Sequence, residues 1–102
     1  MHLIELLLPR DDNSKENLPA SVFDEVRIEL TEKFGGVTAF LRSPAQGVWV
    51  EGGGGVTSDE IVIFEVMSEH LDRGWWSRYR AKLEKRFQQE QLIIRASQVE
   101  QL

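Results

Sequence analysis

Two short apolar segments that each carry one glutamate constrain the fold of this chain more than any other feature. The stronger is residues 61–67, with the sequence IVIFEVM, and the other is residues 3–8, with the sequence LIELLL. Short apolar runs bounded by polar or turn residues favour β-strands that are buried on both faces, particularly where β-branched and aromatic residues are frequent. The sequence therefore predicts two buried strands, each with a carboxylate in its middle.

Side-chain alternation gives the two faces of these strands different compositions. In the first segment the even positions Ile4, Leu6 and Leu8 are all apolar, whereas the odd positions include Glu5. In the second segment the odd positions include Glu65. Because successive side chains in a strand point to opposite faces, one face is predicted to be a dry core and the other to be apolar with embedded charge.

Two helices are predicted between the strands. The first begins near Pro19, with Asn17 or Leu18 as its cap, because proline fits the first turn of a helix. It ends at residues 35–36, which are both glycine. The second is capped by Ser68 or Asp72 and runs to about residue 89. Its predicted buried stripe recurs at helical spacing, at Trp76, Tyr79, Leu83 and Phe87.

The remaining segments predict weaker strands. Residues 37–42 and 48–51 flank the turn-forming cluster SPAQG, so we expect them to form a hairpin. Residues 92–96 form the last predicted strand. The glycine run at 52–55 is not followed by the lysine and hydroxyl residue of a phosphate-binding loop, so we interpret it as a flexible connector.

This order predicts one α+β domain over residues 1–102, a ferredoxin-like sandwich in β-α-β-β-β-α-β order. Its antiparallel or mixed sheet would have about four or five strands, with both helices on one face. Residues 3–8 and 61–67 would be adjacent and antiparallel at the centre. Residues 92–96 would flank the former, and residues 37–42 the latter.

The face opposite the helices is predicted to be too apolar to stay in water. Contiguous exposed apolar surface is normally covered by a partner. We therefore expect a homodimer in which two copies pair through their open sheet faces, with the same patch used by both subunits.

Composition and charge exclude several classes of function. The net charge is −5 in 102 residues, which argues against nucleic-acid binding. The chain has no cysteine, no apolar run long enough to span a membrane and no recognisable signal peptide, so we expect a cytoplasmic protein. The first predicted helix is acidic and the second is basic, so their flanks should attract each other.

The residues predicted to share the open face are the candidates for a site. Glu5 and Glu65 would lie close together, and two shielded carboxylates hold one proton at a raised pKa, as in a general acid or base. Arg42 and Arg95 would neutralise them or bind an anionic ligand. Three interpretations stay open: a salt-bridge network at the dimer interface, a ligand pocket, or a catalytic site.

Three apolar residues would form the walls of such a pocket or interface, namely Phe40, Met67 and Trp49. His2 and His70 would lie at neighbouring strand ends, where a metal site is conceivable, but solvated histidines are the expected outcome. We therefore predict no metal and no cofactor.

Several motifs together resemble those of a family of short uncharacterised bacterial proteins. They are the sequence FGGVTAF at 34–40, the GVW turn at 47–49, the strand at 60–67 and the helix that contains Trp75, Trp76 and Tyr79. The resemblance covers nearly the whole chain. It implies a ferredoxin-like fold, and it implies no activity.

The leading hypothesis is a homodimeric module that binds a small molecule, with a small anionic ligand as the first candidate. The alternative is a cofactor-free enzyme, isomerase-like or oxygenase-like, that acts on a small anionic substrate. In that case Glu65 or Glu5 would be the acid or base, and Arg42 or Arg95 would bind the anion.

Overall fold

The chain folds into a four-stranded sheet and two helices in a computed structural model, which describes residues 1–11, 17–50 and 56–102. For residues 40–50 and 56–60 the description covers the backbone alone. The elements are β1 (His2–Pro9), α1 (Ala20–Phe34), β2 (Thr38–Val50), β3 (Val56–Ser68), α2 (Arg73–Arg86) and β4 (Ile93–Gln98).

The sheet has the order β2-β3-β1-β4, and every neighbouring pair is antiparallel. The two segments with a glutamate, β1 and β3, are therefore adjacent at its centre, while β4 flanks β1 and β2 flanks β3. This arrangement, with the element order β-α-β-β-α-β, confirms the predicted α+β sandwich.

The predicted hairpin within residues 37–51 is wrong. β2 is one strand from Thr38 to Val50, and its pairing with β3 has a register irregularity between Phe40 and Ala45. The turn-forming residues of this segment therefore lie inside the strand. The strand tolerates them because β2 is at the sheet edge, where proline and irregular pairing disturb no second neighbour. The glycine connector predicted at 52–55 lies outside the described residues.

Both helices pack on the same face of the sheet, and the core that they form with it contains the residues predicted to be buried in the first strand and the second helix. Among the described residues no polar or charged residue is buried. The sheet contributes alternate residues from its central strands, and the helices contribute one stripe each. The buried set is Ile4, Leu6, Leu8, Val26, Leu30, Val62, Phe64, Val66, Trp76, Tyr79, Leu83, Phe87 and Leu92.

The ends of the helices follow from a few local interactions. Gly35 ends α1 with a φ of 84°, in the left-handed region that favours glycine, and its N–H donates to the Thr31 carbonyl at 2.8 Å. Asp72 caps α2 by accepting from the Trp75 N–H at 3.0 Å. α2 ends at Arg86, before the predicted residue 89, because Gln88 takes a φ of 55° that a helix cannot contain. Neither helix is long and apolar enough to cross a lipid bilayer.

Candidate functional site

The open face of the sheet brings together the two glutamates predicted from the sequence. Glu5 in β1 lies directly opposite Glu65 in β3, and on its other side Glu5 lies opposite Arg95 in β4. Directly opposed side chains on antiparallel strands are within contact distance of each other. Three charged groups therefore lie in one row across the sheet, on the side away from the helices.

Electrostatics distinguishes the two carboxylates. The Nε atom of Arg95 donates to Oε1 of Glu5 at 3.1 Å, so Glu5 is held as the partner of a cation. Glu65 has no such partner among the described residues. Partial burial raises the pKa of Glu65, and repulsion by the Glu5 charge and a hydrogen bond between the two carboxyl groups raise it further. Of this pair, Glu65 is the group suited to holding a proton.

Apolar side chains surround this row on the same face. Leu3, Leu7 and Ile63 are half-buried, whereas Met67 and Ile93 are about half exposed, at 47% and 53%. Met67 and Ile93 are among the few large hydrophobic residues that are exposed in the described part of the chain. The open face is thus amphipathic, as predicted.

A cleft of about 410 Å³ opens at one border of this face. Glu65 and Met67 of β3, Leu3 of β1 and Thr38 of β2 line it, together with the turn after α1 at residues 34–37. The cleft gives the Glu65 carboxyl a concave surrounding with both apolar and polar walls. A small organic molecule fits such a surrounding.

Three of the predicted site residues lie outside this description. The side chains of Phe40, Arg42 and Trp49 are in the part of the chain that is described by its backbone alone. Only the backbone positions of their strand are given, at the edge next to β3. Their roles stay predictions.

The two histidines lie at the predicted end of the sheet. His2 pairs with Ser68 in the β1–β3 ladder, and the backbone carbonyl of His70 accepts from the Ser68 hydroxyl at 2.7 Å. Over residues 1–11, 17–50 and 56–102, no three histidine, cysteine or acidic residues are placed to hold a metal ion together.

A second cluster, which the sequence did not identify as a unit, lies between the helices. Arg86 binds Glu29 with two parallel hydrogen bonds of 2.7 and 3.0 Å. Lys82 donates to the same carboxylate at 3.0 Å, and the Tyr79 hydroxyl donates at 2.9 Å. These bonds lower the pKa of Glu29 to about 2, and they outweigh the opposing effect of burial. The predicted attraction between an acidic and a basic helix is confirmed here.

The basic residues of α2 differ in how far they are buried by this cluster. Arg78, Lys82 and Arg86 recur at four-residue spacing, which is typical of a solvated face. Arg86 is instead only 16% exposed, and besides Glu29 it reaches Glu25 at 3.4 Å. Trp75 stacks on Tyr79 beside this cluster, and the ammonium of Lys33 lies 5.0 Å from its ring centre. The cluster therefore links α1 to α2 through hydrogen bonds and ion pairs.

Comparison with known proteins shows a likeness of fold. No protein-family model matches the sequence, and no curated protein sequence matches it. Two solved structures resemble the chain over nearly its whole length: a phage SAM lyase in complex with S-methyl-5'-thioadenosine, and a phage SAM lyase in the apo state. The first has a TM-score of 0.60 and 16% identity, and the match covers 95% of this chain and 80% of the lyase. The second has a TM-score of 0.61 and 14% identity, with 94% and 78% covered. At this identity the comparison establishes the α+β architecture and carries no residue from one chain to the other.

Proposed function

We propose that the protein is a small-molecule-binding module that works as a cytoplasmic homodimer, with its ligand held on the open sheet face around Glu65. The observation that carries this proposal is the composition of that face. It exposes Met67 beside the Glu65 carboxyl, whose pKa is raised, and Ile93 on the edge strand β4. A solvated sheet face would carry polar side chains at these positions.

A second copy of the chain would cover this surface. Apolar side chains lie on both sides of the charged row, across the central strands and β4, so the apolar surface is spread over the sheet rather than confined to a narrow groove. Pairing of two such layers about a twofold axis buries the same patch on each subunit. It also doubles the number of Glu5, Glu65 and Arg95 side chains around the space between the sheets.

The charged row of Glu65, Glu5 and Arg95 determines which chemical groups a ligand would need. Protonated Glu65 donates a hydrogen bond and ionised Glu65 accepts one, while Arg95 uses only its Nε atom toward Glu5. The terminal nitrogens of Arg95 are therefore the groups that would bind the anionic end of a ligand. Arg42, on the neighbouring edge strand, is the second predicted anion-binding residue.

The fold likeness supports a small organic ligand. One of the two phage SAM lyase structures holds S-methyl-5'-thioadenosine, a nucleoside thioether with an apolar sulfur chain and several hydrogen-bonding groups. The resemblance of sequence motifs to short bacterial proteins agrees with the same small α+β architecture. Neither likeness identifies the ligand, so the first probe is S-methyl-5'-thioadenosine itself.

Titration calorimetry with wild-type protein and the Glu65→Gln variant tests the ligand. We expect S-methyl-5'-thioadenosine, which is neutral, to bind wild type and to bind Glu65→Gln more weakly, and an analogue that carries a carboxylate to bind wild type more tightly through Arg95. Chemical-shift mapping should place the ligand on residues 3–7, 63–67 and 93–95. Binding that maps to other residues would contradict the proposed site.

Mutation of the exposed apolar residues tests the dimer. Met67→Lys places a charge on the open face, whereas Ile28→Lys places the same charge on α1 at a residue with nearly the same exposure, 49% against 47%. We expect Met67→Lys to dissociate the dimer and Ile28→Lys to leave it intact. Equal effects of the two substitutions would show that the open face is not the interface.

The raised pKa of Glu65 also favours a second candidate, a cofactor-free enzyme. A carboxyl group with a raised pKa keeps its proton to a higher pH than an ordinary glutamate, so it can act as a general acid and, once ionised, as a general base. An isomerase-like or oxygenase-like reaction on a small anionic substrate would use Glu65 in this way. Product analysis by NMR of any ligand that binds distinguishes the two functions. The enzyme predicts conversion by wild type and binding without conversion by Glu65→Gln, whereas the binding module returns the ligand unchanged.

A further inference from the structure

A separate pocket lies on the helix side of the sheet, where α2 packs beside β4. Its volume is about 210 Å³. The residues around it come from the loop before α2, from the first half of α2 (residues 73–80), and from β1 and β4.

The apolar part of this pocket is built from the core. Ile4 and Trp76 are 1% and 7% exposed, so they belong to the fixed interior of the protein. Leu71 and Ile94 are partly buried and pack against the same core. The pocket therefore has a preformed apolar wall that includes one aromatic ring.

The polar part is a row of donors along α2. Arg73, Ser77 and Arg80 are separated by four and three residues, so they lie on one side of the helix over consecutive turns. Arg73 has no hydrogen bond or ion pair with another described residue. Arg80 has one long contact, 3.9 Å from its Nε to Oε2 of Glu84.

Glu84 does not neutralise this row. Its Oε2 atom already accepts a hydrogen bond from the backbone N–H of Leu92 at 3.0 Å, which is shorter than its distance to Arg80. No carboxylate lines the pocket itself. By contrast, the groove between the helices has Lys33, Arg78 and Lys82 around it, but it also has Glu29 and Glu32. Of the three arginines around the β4 pocket, Arg95 pairs with Glu5 and Arg80 has only the long contact with Glu84, whereas Arg73 has no carboxylate partner among the described residues.

We propose that this pocket binds an oxyanion carried on a compact apolar body, through Arg73 and Arg80 for the anion and Trp76 for the body. Guanidinium groups bind carboxylates and phosphates with two parallel hydrogen bonds. The Ser77 hydroxyl lies between the two arginines along the helix and supplies a further donor. The size of the pocket admits a group of the size of a substituted benzene ring, and the apolar wall excludes a strongly hydrated inorganic ion.

This site is independent of the one proposed around Glu65. It lies on the other face of the sheet and needs no second subunit. Arg95 is the one residue of the open-face row that also lines it. The test therefore uses Arg73 and Arg80, which lie on α2 and take no part in the open face.

NMR titration of the full chain with phenyl phosphate and with benzoate tests the proposal. Both probes carry an oxyanion on a benzene ring, and their comparison shows whether the pocket prefers phosphate or carboxylate. We expect saturable shifts of the Trp76 indole N–H and of the backbone amides at 73–80. Inorganic phosphate, which lacks the apolar body, should bind at least about tenfold more weakly than phenyl phosphate, a difference of about 1.4 kcal/mol.

Substitutions on α2 locate the anion. Arg73→Gln and Arg80→Gln should each weaken the better probe at least about fivefold, and the double variant should abolish binding, because charge-assisted bonds to the anion are lost. Arg78→Gln, on the side of α2 that faces the interhelical groove, is the matched control and should bind as wild type does. Ile28→Lys, on α1 and outside both proposed sites, should also bind as wild type does.

Three results would overturn the proposal. The first is the absence of shifts at 73–80 with both probes. The second is unchanged affinity in the double variant. The third is equal affinity for inorganic phosphate and phenyl phosphate, since it would show a charged surface without an apolar pocket.

Discussion

Glu5 lies directly opposite Glu65 across the central strand pair, and Arg95 neutralises only the first of them. The second carboxyl is left partly buried beside a negative charge, which raises its pKa. Among the described side chains of one subunit, the row is therefore one ion pair beside a second carboxyl group, rather than two ion pairs.

Replacement of Glu65 by glutamine should stabilise the protein at neutral pH. A raised pKa means that folding disfavours the ionised form, so stability falls as the pH rises through the folded-state pKa of Glu65. Because glutamine cannot ionise, the variant does not lose stability as the pH rises. Urea unfolding of both proteins at pH 7 and at pH 3 measures the effect.

The gain in Glu65→Gln should be present at pH 7 and vanish at pH 3, where the glutamate is protonated in both the folded and the unfolded state. Glu5→Gln is the matched comparison, and it should be destabilising at pH 7 because it leaves Arg95 without its partner. A loss of stability in Glu65→Gln at pH 7 would contradict the charge assignment on this face.

Replacement of Glu29 by glutamine should destabilise the protein by about 2 kcal/mol at pH 7, because several charge-assisted hydrogen bonds to a partly buried carboxylate are lost. The pKa of Glu29 is lowered to about 2, so its contribution is complete above the ordinary glutamate range and disappears as the pH falls through about 2. Urea unfolding between pH 7 and pH 2 measures this profile. The wild type and the variant should converge at the acidic end.

Asp24→Asn provides the control for Glu29. Asp24 pairs with Arg27 at 3.2 Å, but both side chains are more than half exposed. An exposed ion pair of this kind contributes less than about 1 kcal/mol. If the two substitutions had equal effects, the cluster between the helices would not be a major source of stability.

Replacement of Gly35 by alanine should cost about 1 kcal/mol, because its φ of 84° is unfavourable for any residue with a β-carbon. Steric crowding is not the cause of this loss of stability, since a β-carbon at Gly35 would meet no atom within 4 Å. Gly36→Ala is the control, because Gly36 has equal space and no positive φ. Thermal unfolding should separate the two variants by a few degrees, and coincident melting curves would contradict the conformational argument.

Much of this fold could be predicted because the central strands carry strong local signals. Alternation in residues 3–8 and 61–67 identified the buried face, and antiparallel pairing with matched parity placed Glu5 beside Glu65. Gly35 and Asp72 marked helix ends through their own backbone and side-chain chemistry. In these cases the residues that determine a strand or a helix end lie within that element or a few positions from it.

The wrong prediction and the features that were missed depend on contacts between distant parts of the chain. The turn-forming residues of β2 predicted a hairpin, but an edge strand accommodates them, and only the strand order reveals that β2 is at the edge. The Glu29 cluster joins residues that are 50 to 57 positions apart, through the packing of two helices. The pocket beside β4 likewise depends on how α2 lies against the sheet, which no local pattern specifies.

The mass of the protein in solution tests the central claim most directly. Sedimentation velocity at micromolar concentration should give twice the chain mass of 11.7 kDa for wild type and for Ile28→Lys, and the single-chain mass for Met67→Lys. A wild-type protein that sediments as a single chain, with Met67 and Ile93 left in water, would contradict the account of the open face.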